Sequence, residues 1–169
     1  MQTVTLGRTD LEVTRIGFGG IPIQRLGTDQ AVKVLHRALD LGVGLIDTAR
    51  VYTDSEEKIG KALQGRDEHP ALVSKTYSRD SVGARSDVEI SLDNLGVQRI
   101  DLYLLHNINS IEMLDEVMEP GGALEGLRQA RDEGLVGSIG ISSHKTSVLE
   151  EALLRDVFEA IEVPFNAIE

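Results

Sequence analysis

The chain has 169 residues, of which 41% are hydrophobic and 27% charged, a composition typical of an ordered globular protein. Its formal net charge of −11 opposes non-specific binding to nucleic acid or anionic membranes, no apolar run is long enough to span a bilayer, and the N-terminus lacks a signal-peptide pattern. Because the chain contains no cysteine, disulfides, a thiol nucleophile and a cysteine-ligated metal are excluded within it, and we expect a cytoplasmic protein that binds neither nucleic acid nor membrane.

Short apolar runs alternate with segments of helical periodicity along the whole chain. The predicted elements, in chain order, are a hairpin around 7–10, a strand at 16–18, a helix at 28–41, a strand at 44–47, a helix at 55–63, a strand at 71–75, a helix at 87–95, a strand at 100–106, a helix at 124–133, a strand at 136–141, a helix at 147–154 and a strand at 160–163. This alternation indicates a parallel sheet with helices on its face.

The number of strand–helix steps indicates a barrel that is not complete. A (β/α)8 barrel takes about 250 residues, and the six predicted strands have close to the same spacing. The sequence therefore predicts an α/β fold of the (β/α)8 TIM-barrel type, truncated after about six strands, as a single domain over residues 1–169 with an N-terminal β-hairpin. Unpaired edge strands expose backbone groups, so self-association through the sheet edges is expected.

Polar residues lie at the carboxyl ends of the predicted strands. Asp47, Lys75 and His106 close successive strands, and the pair Ser142 and Ser143 follows a later one. In parallel α/β folds these strand ends share one rim, where ligands bind and where barrel enzymes have their active sites. We therefore expect these residues, which are far apart in sequence, to meet at one edge of the sheet.

An acid, a phenol, an ammonium group and an imidazole together suit proton transfer to a carbonyl oxygen whose carbon receives a hydride. Tyr52, in the loop after Asp47, is the natural proton donor, and the nearby Lys75 ammonium is expected to lower the pKa of its phenol. Asp47 is expected to pair with Lys75, and His106 to orient and polarise the substrate carbonyl. Taken singly, each residue also has an ordinary structural interpretation, as a loop cap or a side chain that reaches solvent.

The motifs around these residues resemble the aldo-keto reductase family. Asp47 is followed five residues later by Tyr52, as in that family's signature. The matching segments, in order along the chain, are residues 6–20, 45–52, 72–75, 101–106 and 137–143. The resemblance covers essentially the whole chain, and it implies a barrel oxidoreductase with a catalytic tetrad made of Asp47, Tyr52, Lys75 and His106.

The resemblance also implies a nicotinamide cofactor, NADP(H) or alternatively NAD(H), and a small aldehyde, ketone or alcohol as substrate. Gly20 and Ile21 would lie beside the nicotinamide, Ser142 and Ser143 would face its carboxamide, and Asp47 would also touch its ribose. Read without the resemblance, the glycine serves equally well as a residue of a tight turn.

Two positions depart from the family pattern. Ser143 stands where the family often has asparagine, and Glu162 aligns with a frequent glutamine, which would place a carboxylate opposite the carboxamide amine. The segments that resemble the branch often carrying a C-terminal ferredoxin-like iron–sulfur domain are residues 19–25, 120–125 and 164–169. With no cysteine present, any such cluster would lie beyond Glu169, and no metal site is assigned in this chain.

Other polar residues have less specific interpretations. Arg50 is either a partner for a substrate carboxylate or a structural arginine. His36 and His69 are predicted at the surface, whereas His144 follows the two serines and is a candidate for the rim of the site. The acidic run at 54–57 is predicted to begin a helix, where the macrodipole favours carboxylates, rather than to bind a metal.

The leading hypothesis is an NADP(H)-dependent oxidoreductase that reduces aldehydes or ketones to alcohols, or catalyses the reverse reaction, with Tyr52 as proton donor. One alternative is an inactive, incomplete barrel without the segment that holds the adenosine phosphate in the family. Another is a cofactor-sensing regulatory subunit that acts through protein partners. Cofactor binding with carbonyl-dependent turnover supports the enzyme, and binding without turnover supports the regulatory subunit.

Overall fold

The computed structural model describes residues 1–66 and 69–167, and it begins with an antiparallel hairpin. Strand β1 (Thr3–Thr5) pairs with β2 (Glu12–Thr14), as the turn residues between them predicted. The backbone N–H of Arg8, in the hairpin loop, donates to the carbonyl of Glu159 at 2.7 Å. This bond ties the N-terminal hairpin to a segment near the other end of the chain.

Six parallel strands follow and form one curled sheet, an open half-barrel. They are β3 (Phe18–Gly19), β4 (Leu45–Asp47), β5 (Ala71–Thr76), β6 (Ile100–Leu105), β7 (Val136–Ser142) and β8 (Ala160–Glu162). The spatial order of the strands is their order in the chain, and every neighbouring pair is parallel. The predicted α/β fold of barrel type with six strands is therefore confirmed, because the strands lie where the apolar runs indicated.

Six helices and a 3-10 turn at Ile21–Arg25 accompany the sheet in the part of the chain that the structure describes. The helices are α1 (Thr28–Asp40), α2 (Ser55–Leu63), α3 (Ser81–Leu95), α4 (Ile111–Met118), α5 (Ala123–Asp132) and α6 (Thr146–Leu154). None of them is long and apolar enough to cross a membrane.

Two helices differ from the prediction. Helix α3 begins six residues before the predicted start, because the Asp80 side chain accepts a hydrogen bond from the Gly83 N–H and caps it. Helix α4 was not predicted, since Leu114 and Val117 are its only buried residues; the Ser110 hydroxyl caps it by accepting from the Met113 N–H at 3.2 Å. In both helices a capping side chain marks the start more clearly than the spacing of the buried residues does.

The strands bury side chains on both faces of the sheet. On the helix side, strand residues such as Ile46, Tyr103 and Ile139 pack in one large apolar core with the helices. Alternate strand residues form a second, smaller cluster with Leu6 and Leu11 of the hairpin loop, made of Val73, Leu102, Leu104 and Ala160. The hairpin loop therefore packs against the residues that face the hollow of the half-barrel.

Candidate active site

The carboxyl ends of the strands bring the predicted polar residues together. Parallel pairing sets Asp47 beside Val73 and Ser142 beside Glu162. Tyr52 lies in the turn between β4 and α2, where its backbone N–H donates to the Ala49 carbonyl at 3.0 Å. The expected convergence of distant residues at one rim is present in the structure.

Lys75 is the centre of this cluster, with a fully buried side chain. Its Nζ donates to Asp47 Oδ1, and to the Thr48 carbonyl at 2.9 Å. The same Nζ lies 3.4 Å from Glu162 Oε2 and 5.5 Å from the centre of the Tyr52 ring. The ion pair of Asp47 with Lys75 expected from the sequence is present, and Glu162 is a second carboxylate beside the same ammonium.

Three aromatic rings stand next to one another at the rim. The Tyr52 and His106 rings meet edge to face, with centroids 5.7 Å apart. The Tyr77 ring also contacts the His106 ring, with centroids 4.7 Å apart. Nδ1 of His106 is buried and has no hydrogen-bond partner among the residues that the structure describes. A buried ring nitrogen without a partner is uncommon in folded proteins.

The ionisation of Tyr52 differs from the prediction. Burial, and then the negative charges of Asp47 and Glu162, raise the pKa of Tyr52 to about 12. The expectation that Lys75 lowers this pKa was wrong for this structure, because the ammonium is already paired with one carboxylate and flanked by another. The phenol is therefore held in its protonated form.

The pKa of His106 moves in the opposite direction. Burial, and then the positive charges of Lys75, Arg79 and His144, lower it to about 4. The imidazole is thus neutral at neutral pH, and one of its ring nitrogens carries a proton that it can donate.

Residues in the left-handed conformation follow both rings. Thr53, after Tyr52, has a φ of 43°, and Asn107, after His106, has a φ of 59°. Asparagine adopts this region with little cost, but a β-branched threonine rarely does. The Asn107 N–H donates to Ser142 Oγ at 2.9 Å, and its side-chain amide donates to the Tyr77 hydroxyl at 2.7 Å. The left-handed conformation of Thr53 is therefore strained. Strained backbone clusters at functional sites, which supports this rim as the site.

A family model described as the aldo/keto reductase family matches residues 15–168. The chain belongs to the aldo-keto reductase family. It resembles the uncharacterized oxidoreductase YqkF of Bacillus subtilis, with 30% identity over 100% of this chain and 58% of that protein. It also resembles the methylglyoxal reductase DkgA of Salmonella typhimurium, with 28% identity over 85% of this chain and 53% of that protein. The chain thus spans a little over half the length of these curated relatives.

Solved structures of aldo-keto reductases share the fold. A putative aldo-keto reductase from Pseudomonas aeruginosa superposes with a TM-score of 0.87 and 31% identity, over 99% of this chain and 69% of that one. The holo form of an aldo-keto reductase from Bacillus halodurans has a TM-score of 0.84 and 29% identity, over 98% of this chain and 58% of the other. The half-barrel described above therefore corresponds to part of an aldo-keto reductase barrel.

Three of the residues expected to hold the cofactor of an aldo-keto reductase line a cavity of about 210 Å³ together with Tyr52 and His106; they are Ile21, Ser142 and Ser143, whereas Asp47 does not line it. Drug-sized ligands occupy pockets of roughly 300–1,000 Å³, so this space suits one ring with its substituent rather than a whole dinucleotide. The His106 ring lines the same cavity. The set fits a nicotinamide ring.

The two serine hydroxyls are already held by protein groups. Ser142 Oγ accepts from the Asn107 N–H, and Ser143 Oγ donates to Asn109 Oδ1 at 3.1 Å. Gly20 does not line the cavity; its N–H donates to the Asp47 carbonyl at 2.7 Å. A Cβ on this glycine would stand 2.6 Å from Ser55 Oγ, so the glycine is required for close approach of two segments.

Behind the site lies a buried polar network that the sequence analysis missed. Glu56 is only 2% exposed, and its Oε2 accepts from Arg50 Nη1 at 2.6 Å. Its Oε1 accepts from the hydroxyls of Ser74 at 2.7 Å and Ser91 at 2.6 Å, and Asn94 donates to Oε2 at 3.1 Å. Of the two interpretations of Arg50, the structure favours the structural one. The acidic run does begin a helix, but one of its carboxylates points into the protein.

The histidines outside the tetrad lie as follows. His36 was predicted at the surface, but it is partly buried, with Nε2 2.9 Å from the Ala62 carbonyl. His69 is exposed, as predicted, and His144 lines the cavity rim. Tyr77 and Asn107, which also lie at the rim, were not predicted from the sequence. Their one sequence signal is position, since they come shortly after Lys75 and directly after His106.

Proposed function

We propose that the chain carries the active site of an NADP(H)-dependent oxidoreductase that reduces small aldehydes or ketones to alcohols, or catalyses the reverse, with NAD(H) as the alternative cofactor. The observation that carries the proposal is the position of the protonated Tyr52 phenol between the His106 imidazole and the Lys75 ammonium. Residues 1–169 would act as one incomplete barrel domain, in the cytoplasm, on small-molecule carbonyl substrates.

The roles of the tetrad follow from its contacts. Tyr52 would donate its proton to the carbonyl oxygen, and the Lys75 ammonium, 5.5 Å from the ring centre, would stabilise the phenolate left behind. Asp47 would hold that ammonium in place through their ion pair. The neutral His106 would donate a hydrogen bond from a ring nitrogen and orient the carbonyl.

A bound nicotinamide would supply or accept the hydride. Ile21, Ser142 and Ser143 line the cavity and would hold the ring, and Asp47 would touch the adjoining ribose. Gly20 would contribute indirectly, because it lets the 3-10 turn that begins with Ile21 approach the end of β4.

The replacement of Tyr52 by phenylalanine tests the proton-donor role. General acid catalysis contributes roughly 100- to 10,000-fold, so Tyr52→Phe should reduce carbonyl-dependent cofactor oxidation by at least about 100-fold. Cofactor affinity, followed by nicotinamide fluorescence, should remain within about twofold of the unmodified protein, since a ring of almost the same shape is kept.

Tyr103→Phe is the matched control, because this tyrosine lies in the helix-side core and hydrogen-bonds to Ser91 away from the cavity. It should retain turnover. Full turnover by Tyr52→Phe would reject the assigned donor, and no cofactor binding at millimolar concentration would reject the enzyme proposal for this chain. Cofactor binding without turnover by the unmodified chain would instead favour the regulatory subunit.

A further inference from the structure

Glu162 is a carboxylate at the site that the proposed mechanism does not use. It ends β8, pairs in register with Ser142, and accepts a hydrogen bond from the Ser143 N–H on its backbone carbonyl at 3.1 Å. These backbone contacts place the residue at the rim, where its side chain is 46% exposed. Its Oε2 lies 3.4 Å from Lys75 Nζ.

The charges around Glu162 come from each neighbouring element. Asp47 faces it from β4 and Lys75 from β5, while Tyr52, His106 and His144 line the cavity with it from the loops that follow β4, β6 and β7. Of these groups, a single ammonium stands between two carboxylates. When both carboxylates are ionised, the centre of the site carries net negative charge.

We propose that Glu162 is a second counter-ion of Lys75, which shares the ammonium with Asp47 and thereby holds Tyr52 in its protonated, proton-donating form. The consequence of this pairing for catalysis rests on the function proposed above.

The ionisation of Glu162 itself makes this effect adjustable. Partial burial and the charge of Asp47 raise the pKa of Glu162 to about 7, although Lys75 opposes the change. Above that pH the glutamate is negative and repels a phenolate at Tyr52, and below it the repulsion is removed. Carbonyl reduction begins with a phenol and alcohol oxidation with a phenolate, so the ionised glutamate keeps Tyr52 in the form from which reduction starts.

An NMR titration of the ring carbons of ¹³C-labelled tyrosine tests the coupling in the absence of cofactor and substrate. The three proteins are the unmodified chain, Glu162→Gln, and the control Glu150→Gln, which removes an exposed carboxylate from α6. The same three proteins are also measured with His144→Gln added, which removes any contribution of the histidine at the cavity rim. A Tyr52→Phe variant assigns the signal among the three tyrosines.

The Tyr52 signal should show an inflection near neutral pH in the unmodified chain and in Glu150→Gln, but not in Glu162→Gln. The alkaline midpoint of Tyr52 should fall by on the order of one pH unit in Glu162→Gln, a roughly tenfold larger phenolate fraction at a given pH. If carbonyl turnover is measurable, the kcat for alcohol oxidation should rise relative to the kcat for carbonyl reduction in the same variant.

An inflection that persists in Glu162→Gln, together with an unchanged alkaline midpoint, would overturn the proposal. If that variant does not fold, the unmodified chain decides, because a Tyr52 signal without a neutral inflection contradicts the coupling by itself. Glu162→Asp keeps the charge and should keep the inflection. Since no cofactor is present, failure of the proposed reductase activity would leave these titration results unaffected.

Discussion

At the level of single residues, His106 and Tyr52 show how the same burial has opposite effects on a base and an acid. Burial disfavours the charged form of each ring, which lowers the pKa of the imidazole to about 4 and raises that of the phenol to about 12. Both rings are neutral over the physiological range as a result. Each therefore carries a proton that it can donate to a carbonyl oxygen.

The lowered pKa of His106 predicts a loss of stability on mild acidification. A histidine in the unfolded chain titrates near 6.5, whereas this one titrates at about 4 when folded, so between these values only the unfolded state binds the proton. The free energy of unfolding should then fall as the pH decreases from about 6.5 towards 4. His106→Gln should flatten this part of the curve.

Denaturant unfolding at a series of pH values measures the effect. His69→Gln is the control, because it removes a histidine that is exposed in a loop. It should leave the pH dependence as it is in the unmodified chain. The same acid slope in His106→Gln and in the unmodified chain would show that this imidazole is not the group responsible.

The adjacent glycines Gly19 and Gly20 differ in the space that is available to a side chain. A Cβ on Gly20 would lie 2.6 Å from Ser55 Oγ and 3.0 Å from the Asp47 carbonyl, whereas a Cβ on Gly19 would meet nothing within 4 Å. Gly20→Ala should therefore lose about 1–3 kcal/mol of unfolding free energy through overpacking. Gly19→Ala should stay within about 0.5 kcal/mol. Equal losses in the two variants would contradict the close packing inferred at Gly20.

At the level of elements, the Glu56 network joins α2 to α3 and to β5. Loss of one partner from a buried ion pair costs about 3–5 kcal/mol, because the other charge is left without compensation. Arg50 keeps a second carboxylate, Asp87 Oδ1 at 3.6 Å, so Glu56→Ala should cost about 3 kcal/mol of unfolding free energy, the lower end of that range, while three other donors lose their acceptor.

The next residue in the sequence is the natural control. Glu57 lies in the same first turn of α2 but is exposed. Glu57→Ala should cost less than about 1 kcal/mol, the contribution of an exposed acid at a helix N-terminus. Chemical denaturation compares the two variants. A loss in Glu56→Ala as small as that in Glu57→Ala would mean that the network contributes little.

The sequence allowed prediction of the elements that carry a continuous apolar pattern. The strands were placed to within two residues, and α2 was predicted with its actual bounds, because their buried residues are regularly spaced. The first two turns of α3 contain a single buried residue, Ala84, so periodicity does not mark them. The cap residue Asp80 was the available local signal for that start.

The position of the candidate site was predictable once the strands were placed. Strand ends in a parallel sheet share a rim, so Asp47, Lys75 and His106 could be placed together without coordinates. The pKa of Tyr52 could not be obtained in this way, because its direction depends first on the burial of the ring and then on the negative charges of Asp47 and Glu162. One of these charges, Glu162, lies on β8, more than 80 residues after Lys75 in the chain.

At the level of the whole molecule, the sheet is open on both sides. Among residues 1–66 and 69–167, neither β3 nor β8 has a strand on its outer side. The hollow between them contains a cavity of about 320 Å³, lined mostly by apolar side chains that include Leu45, Val73 and Leu102. Backbone donors and acceptors along such edges are available to another strand.

We expect a second copy of this chain to pair with the exposed edge of β8. Ile161 lies in this strand and is 39% exposed, so Ile161→Lys adds a charge to the edge with little effect on the core. Lysine on an edge strand opposes pairing with another chain.

Sedimentation velocity should show association of the unmodified chain as its concentration rises, and weaker association of Ile161→Lys. Leu154→Lys, which places the same charge on an 80% exposed leucine at the end of α6, should associate as the unmodified chain does. Equal weakening by both lysines would assign the effect to net charge, and a chain that stays monomeric at high concentration would refute pairing through this edge.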